Sequence, residues 1–253
     1  MIIRKSQAEI ELMAAAGEIV AATLALLGDN IRPGATTADL DALAEEFIVC
    51  QGGEPTFKGY RGYPAATCLS PNDMIVHGIP GSYALQEGDI LSADVGVTFQ
   101  GFVADSASTF PVGDVPEEAE RLLETCKAAL DAAIEQCREG SRLSDVSHAV
   151  QTVAEGAGFS VVRDLSGHGI GRSMHEDPQI LNFGEPGRGP VLAEGMTLAI
   201  EPMITAGGPG IHVHDDRWSI STSDGSLAAH FEHTVAVTVE GPKVLTATRV
   251  LLR

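Results

Sequence analysis

Length, composition and charge narrow the classes of protein that this chain can form. Its 253 residues, 44% of them hydrophobic, suffice for one domain with a substantial core. The 16 basic and 35 acidic residues give a net charge of −19. That balance argues against a broad nucleic-acid-binding face and against attraction to an anionic membrane.

The N-terminal residues and the cysteines indicate a cytoplasmic protein. Residues 1–9 carry charges where a signal peptide needs an apolar core. No uninterrupted apolar run approaches the roughly 20 residues of a membrane-spanning helix. The four cysteines show neither zinc-type CxxC pairing nor a dense disulfide framework. We therefore predict a reducing, cytoplasmic location.

Four helices are predicted, two before and two after the strands predicted at residues 90–110. A capping box at Ser6 and Glu9 opens the first helix, which should stop at Gly28. The others are predicted from about Thr37 to Gln51, from Pro116 to near Gly140, and from about Ser144 to Glu155. The order helix, helix, sheet thus occurs twice, without a flexible linker. We predict a single domain, 1–253, with two related halves at about 1–112 and 113–253.

The most informative pattern is a duplicated segment that ends in an acidic residue. The segment 85–94 recurs as 192–201, and its last residue is Asp94 in one copy and Glu201 in the other. Each copy is followed by a second acid within apolar residues, Asp105 or Glu232, which we predict to stand in strands. Buried carboxylates are costly unless they are paired or bind metal. The duplication predicts two half-sites that face each other across a pseudo-twofold axis.

The geometry of the first pair follows from a predicted hairpin. Residues 90–110 form two apolar strands that join at Gln100-Gly101. Asp94 then faces Ala107, and Asp105 shares their face of the sheet as a diagonal neighbour of Asp94, roughly 7–8 Å away. Two carboxylates at this distance raise each other's pKa or recruit a cation. The alternative, exposed acids at strand ends, is disfavoured by the apolar residues around them.

Three histidines complete the predicted chemistry. His168 and His175 lie in a glycine-rich stretch, 166–178, and His77 precedes Gly78 at the end of a strand. Glycine lets the backbone approach a ligand closely. Four carboxylates and an imidazole suit a pair of divalent metal ions such as Mn, Fe, Co or Zn.

With these residues in place, the whole chain resembles the methionine aminopeptidases. The motifs that carry the resemblance are His77-Gly78-Ile79-Pro80, Ala93-Asp94-Val95, Ala104-Asp105, Gly167-His168-Gly169-Ile170-Gly171, His175, Ile200-Glu201-Pro202-Met203 and Phe231-Glu232-His233-Thr234. The resemblance implies the α/β pita-bread fold, with pseudo-twofold antiparallel sheets flanked by helices. Residues 202–231 leave no room for the helical insertion of type II enzymes, so the chain is similar to the bacterial type I enzymes in their minimal form, without an N-terminal extension.

The resemblance also implies roles for individual residues. Five would be ligands of two metal ions: Asp94, Asp105, His168, Glu201 and Glu232, with Asp105 and Glu232 bridging. Glu201 would also transfer a proton, His175 would polarise the scissile carbonyl, and His77 would contact the leaving amide nitrogen. The methionine pocket would draw on Tyr60, Tyr63, Cys68 and Trp218.

The same resemblance implies partners. The substrate would be the N-terminal methionine of nascent polypeptides when the second residue is small. The enzyme would act as a cytoplasmic monomer with transient ribosome association, and it would have neither a nucleic-acid substrate nor a membrane partner.

Two departures from the family concern the pocket wall. Phe57 stands where the family usually has a small residue, and Met174 stands where an aromatic residue is common in the bacterial form. Two alternatives of the same fold are open. A proline-directed peptidase or creatinase normally has a large extra N-terminal domain and different histidines. A non-catalytic binding protein should have lost metal ligands, whereas all five are present here.

Overall fold

The computed structural model describes residues 1–247, in which helices flank antiparallel sheets. The helices are α1 (Gln7–Asn30), α2 (Thr37–Cys50), α3 (Glu117–Glu135) and α4 (Leu143–Gly156), and a 3₁₀ turn spans Tyr60–Gly62. The strands are β1 (Glu54–Pro55), β2 (Cys68–Pro71), β3 (Met74–Val76), β4 (Ile90–Phe99), β5 (Phe102–Pro111), β6 (Ser160–Val161), β7 (Ser166–Gly169), β8 (Glu176–Leu181), β9 (Thr197–Ile200), β10 (Met203–Thr205), β11 (Ile211–Val213), β12 (Ile220–Thr222), β13 (Ala228–His230), β14 (His233–Thr238) and β15 (Gly241–Val244).

Two of the sheets carry the residues discussed below. In the first, β4 pairs with β5 along one edge and with β1 and β2 along the other. In the second, the strand order is β15-β14-β9-β7-β8. Two three-stranded sheets, β13-β10-β6 and β11-β12-β3, complete the described part. All named strand pairs are antiparallel, which confirms the predicted fold class.

Each pair of helices packs on its own set of strands. Helix α1 packs on β4 and β5, and its buried Val20 and Leu27 join the cluster that includes Leu91 and Val95. Helices α3 and α4 pack on each other and share a second cluster with residues of β9, β13 and β14. Burial of these apolar stripes is the main stabilising term for both layers.

The helix bounds differ from prediction at two C-termini. The capping box at Ser6 is confirmed, because its hydroxyl accepts from the Glu9 N–H while the Glu9 carboxylate accepts from the Ser6 N–H. Helix α1 runs past Gly28 to Asn30. A Cβ at Gly28 would lie 2.8 Å from the Phe110 ring, so this glycine permits close packing and does not end the helix. Helix α3 begins one residue after Pro116, its N-cap, and ends at Glu135, before the turns at 136–140.

The duplicated segment forms the same turn twice. Leu85 exchanges backbone hydrogen bonds with residues 34–35, and Leu192 does so with residues 140–141, at 2.7–2.9 Å. Gly88 and Gly195 have φ of 90° and 86°, a region that glycine enters without steric cost. Their N–H groups donate to matching carbonyls, on Val112 and Val237. The repeat seen in the sequence is therefore a repeat of backbone geometry.

The apolar character of helix α1 raises the question of a membrane span. By length and composition it is the one helix among residues 1–247 that could cross a bilayer. However, 56% of its apolar window is buried within the protein, and Met13, Val20 and Leu27 are fully covered. The apolar surface of this helix is thus used for packing against the first sheet.

Candidate metal centre

The first acidic pair lies on a hairpin in the predicted register. Strands β4 and β5 join at residues 100–101, which places Asp94 opposite Ala107 and Asp105 opposite Gly96. Asp94 and Asp105 are therefore diagonal neighbours on one face. Both carboxylates are buried, with 8% and 3% of the residue exposed.

The second acidic pair lies where strands are interrupted. Glu201 directly follows β9, and Glu232 lies in the break between β13 and β14. The expectation that Glu232 stands within an apolar strand is wrong, because its main chain turns toward β5. Its N–H donates to the Ala107 carbonyl at 2.9 Å, and the Ala107 N–H donates back at 3.4 Å. Glu232 thereby links the first pair to Glu201. The residue after Glu232, His233 on β14, lies opposite Ile200, the residue before Glu201.

A threonine hydroxyl holds the two acidic pairs in register. Thr234 Oγ1 accepts from the Asp105 N–H at 2.9 Å and donates to the Asp105 carbonyl at 2.8 Å. The neighbouring Ser106 hydroxyl donates to the Glu232 carbonyl at 2.5 Å. All four residues are buried, so these bonds fix the position of Asp105 relative to Glu232 without competition from water.

His168 is oriented as a ligand through Nε2. Its Nδ1–H donates to the Gly169 carbonyl at 2.9 Å, which leaves the lone pair on Nε2. Nε2 lies 3.6 Å from Glu201 Oε1. Burial lowers the pKa of His168 to about 4, so the ring is neutral at pH 7. A Cβ at Gly167 would lie 2.4 Å from the Ala199 carbonyl, so glycine is needed for this strand to approach β9.

The four carboxylates are strongly perturbed by burial. Removal from water raises the pKa of Asp94 to about 7 and that of Glu201 to about 8. Burial, reinforced by the neighbouring carboxylates, raises the pKa of Asp105 and of Glu232 well above their ordinary values. Oxygen atoms of Asp94, Asp105 and Glu232 are buried without a hydrogen-bond partner. Such an arrangement requires protons or cations for compensation.

The donor atoms fit divalent metal. One group, formed by Asp105, His168 and Glu232, and a second, formed by Glu201, His230 and Glu232, each bring their ligand atoms within 4.8 Å of one another. Carboxylate and imidazole donors suit first-row transition ions. The orphaned oxygens described above are the atoms that such ions would satisfy.

His175 stands beside this donor set at the edge of the cavity. Its ring lies 4.2 Å from that of His168, between ring centres, and stacks on Tyr60 at 5.5 Å. The Tyr60 hydroxyl lies 2.9 Å from His175 Nδ1. Burial, with a smaller contribution from the Arg61 charge, lowers the pKa of His175. Tyr60, which the resemblance assigns to the pocket wall, therefore also holds a histidine.

A buried ion pair supports the loop that carries His175. Lys5 Nζ lies 2.5 Å from Glu176 Oε2, and both side chains are almost fully covered. The other Glu176 oxygen accepts from the backbone N–H groups of Arg172 and Ser173, at 2.9 and 3.3 Å. The loop is thus tied to the N-terminal segment.

His77 also lines the cavity. It follows β3 with φ of 59°, in the left-handed region, and its ring meets Trp218 edge-on at 6.4 Å. Burial lowers its pKa to about 4, so it is neutral at pH 7. The Tyr63 hydroxyl donates to the Gly78 carbonyl at 2.9 Å and steadies the chain after His77.

All the predicted site residues line one cavity of about 170 Å³. Its wall joins the metal donors to an aromatic and apolar surface, with Phe57 packed edge-on against Tyr63 at 6.5 Å between ring centres. The lining residues are Phe57, Tyr60, Arg61, Tyr63, Cys68, His77, Asp94, Asp105, His168, Met174, His175, Glu201, Trp218 and Glu232.

The sequence analysis missed several residues of this region. His230 stands in the same short motif as Glu232, yet only the acid was singled out. No sequence pattern assigned a role to Lys5, Glu176 or Arg61. Proximity in sequence to Glu232 was the one available signal, and it applies to His230 alone.

Comparison with known proteins assigns the chain to a family. The family described as "Metallopeptidase family M24" matches residues 11–239. The chain is 51% identical to the methionine aminopeptidase of Clostridium perfringens, over 97% of this chain and 99% of the relative. It is 47% identical to methionine aminopeptidase 1 of Bacillus subtilis, with the same coverage. The chain therefore belongs to the M24 metallopeptidases and, within them, to the methionine aminopeptidases.

Solved structures agree with this assignment. The structure of methionine aminopeptidase from Thermotoga maritima superposes with a TM-score of 0.96 at 46% identity, covering 97% of this chain and 99% of the other. The prolidase of Pyrococcus horikoshii superposes with a TM-score of 0.78 at 23% identity, over all of this chain but only 66% of that one. The second likeness shows the pita-bread fold alone.

Proposed function

We propose that the protein is a metal-dependent methionyl aminopeptidase that removes the N-terminal methionine when the second residue is small. The observation that carries this proposal is the cavity in which buried metal donors adjoin an aromatic and apolar wall. A cavity of about 170 Å³ has room for one side chain beside the metal donors. The relatives named above are called methionine aminopeptidases.

The proposed cofactor is a pair of divalent ions drawn from Co, Mn, Fe and Zn. Their ligands are Asp94, Asp105, His168, Glu201 and Glu232, with Asp105 and Glu232 shared between the ions. The participation of Glu232 in both donor groups supports a shared ligand. When bound, such ions supply Lewis acidity and lower the pKa of water, which is the chemistry that amide hydrolysis requires.

The remaining polar residues act on the substrate. We assign proton transfer to Glu201, whose burial holds its pKa near neutrality in the metal-free protein. His175 donates from Nε2 to the developing oxyanion, and the Tyr60 hydroxyl on Nδ1 supports that tautomer. His77, neutral and in the same cavity, contacts the leaving amide nitrogen.

The apolar wall recognises the methionine side chain. Tyr63, Cys68, Trp218 and Phe57 line it, together with Met174. A thioether gains dispersion and sulfur–aromatic contacts on such a surface. Because burial raises the pKa of Cys68, its thiol stays protonated and behaves as an apolar group.

The remaining expectations are proposed with the function. The chain forms one catalytic domain with halves at about 1–112 and 113–253, as the two matching turns support. It acts as a cytoplasmic monomer on nascent polypeptides, with transient ribosome association.

The test combines substrate choice with metal analysis. Chelated protein should be inactive, and divalent metal should restore cleavage of a Met-Ala-Ser peptide but not of an Ala-Pro-Ser peptide. Elemental analysis should find two ions per active chain. Cleavage of the proline peptide alone would identify a proline-directed peptidase. Metal binding without cleavage of either peptide would identify a non-catalytic relative.

A further inference from the structure

His230 is a buried histidine with no hydrogen-bond partner for either ring nitrogen. It ends β13, and 2% of the residue is exposed. Among residues 1–247, unpartnered buried side-chain atoms occur only on His230 and on Asp94, Asp105 and Glu232. The other three are proposed metal ligands. An imidazole that was merely packed would leave two desolvated nitrogens without compensation.

The distances around His230 are those between ligands of one ion. Its Nε2 lies 3.6 Å from Glu201 Oε2 and 3.8 Å from Glu232 Oε2. Both separations exceed the 2.7–3.2 Å of an ordinary N–H···O hydrogen bond. Donors at about 2.0–2.2 Å from a tetrahedral ion are roughly 3.4 Å apart, which is close to the observed spacing.

Glu201 stands between two histidines in equivalent positions. Its Oε1 lies 3.6 Å from His168 Nε2, and its Oε2 lies 3.6 Å from His230 Nε2. His168 is the imidazole that the family resemblance already assigns to metal. His230 has the same relation to the other oxygen.

We propose that His230 is a sixth protein ligand of the metal centre, which binds through Nε2 the ion that Glu201 and Glu232 also hold. This inference rests on the proposed dinuclear function. The ion that Glu201 and Glu232 hold then gains an imidazole donor. Nitrogen donors favour zinc, cobalt and iron over manganese, so His230 should bias the centre toward the former ions.

The direct test counts coordinated imidazoles in the intact protein. Apo protein is loaded with two equivalents of Co²⁺, and the strongly shifted, solvent-exchangeable imidazole N–H signals are recorded by proton NMR. Two such signals are expected in the wild type, one each from His168 and His230. A single signal in the wild type would overturn the proposal, and this measurement needs no variant.

Variants supply the second measurement. The His230→Gln variant keeps a polar side chain. Calorimetric titration should show that its affinity for Co²⁺ at one of the two sites falls by about 10- to 100-fold, with a smaller loss of affinity for Mn²⁺. His212→Ala, which removes an exposed histidine on β11, is the matched control and should bind both ions as the wild type does. Equal Co²⁺ affinity in His230→Gln and wild type would exclude coordination.

The outcomes separate this inference from the proposed function. A wild type that binds two ions and cleaves Met-Ala-Ser but shows one imidazole signal would refute the role of His230 alone. A wild type that binds no divalent ion would refute both.

Discussion

The hydrogen bond between Tyr60 and His175 provides a graded test of the proposed oxyanion donor. In Tyr60→Phe the hydroxyl 2.9 Å from His175 Nδ1 is lost, while the ring that stacks on the histidine at 5.5 Å remains. The lost bond is worth about 0.5–1.5 kcal/mol. If it acts only on the tautomer of His175 in the transition state, kcat should fall about 2- to 13-fold with little change in KM.

The assay compares steady-state cleavage of Met-Ala-Ser by metal-loaded variants. His175→Ala should lower kcat about 10²–10³-fold and retain metal, since it removes an oxyanion donor and not a ligand. Tyr83→Phe is the control, because it deletes an exposed tyrosine hydroxyl that donates to Asp89 at 2.9 Å, outside the cavity. Its kcat should equal that of the wild type.

A double-mutant cycle gives the decisive result. If Tyr60 acts through His175, then Tyr60→Phe should have no further effect on kcat in the His175→Ala background. An independent, additive loss in that background would refute the reasoning and make Tyr60 a substrate contact. An unchanged kcat in the single variant would show that packing alone orients the ring.

Three further predictions concern the ligands, the pocket and pH. Asp105→Asn should reduce bound metal and lower turnover by several orders of magnitude while circular dichroism shows an intact fold; near-normal turnover would contradict its assignment as a shared ligand. Phe57→Ser should widen tolerance at the first or second substrate position by about 1–3 kcal/mol in kcat/KM across Met-Ala, Met-Val and norleucine-led peptides, and identical profiles would make Phe57 ordinary packing. In metal-free protein the folded pKa values of Asp94 and Glu201, about 7 and 8, exceed their unfolded values near 4, so the folded state binds more protons and the free energy of unfolding should fall as pH rises from about 6.5 to 8. The buried histidines, with folded pKa values of about 4, act in the opposite direction but only below about pH 6.5. Urea titrations at pH 6.5 and 8 should show this loss without metal, and equal midpoints would exclude it.

Features that depend on neighbouring residues were predictable from the sequence. The register of β4 and β5 was correctly predicted because a two-residue turn and a period of two determine which side chains share a face. The capping box at Ser6 was also predictable, because both of its hydrogen bonds join residues only three positions apart. The duplicated segment was visible because its two turns require the same glycine at the same offset from leucine.

The ends of helices were less predictable. Gly28 is a typical stop signal, yet it lies within α1. Glycine is needed there because the Phe110 ring leaves no room for a side chain. The reason for that glycine is a contact with a distant strand, which local preference does not contain.

The arrangement of the site was decided by contacts between distant parts of the chain. The bond that aligns Asp105 with Thr234 joins residues 129 positions apart, and the pair of Lys5 with Glu176 joins residues 171 apart. Sequence alone identified the acids as costly to bury, because that cost depends on residue type and apolar neighbours. Only the tertiary structure determined that Glu232 lies in a break between two strands and contacts β5, and that His230 is buried beside it. Both features depend on where the sheets meet.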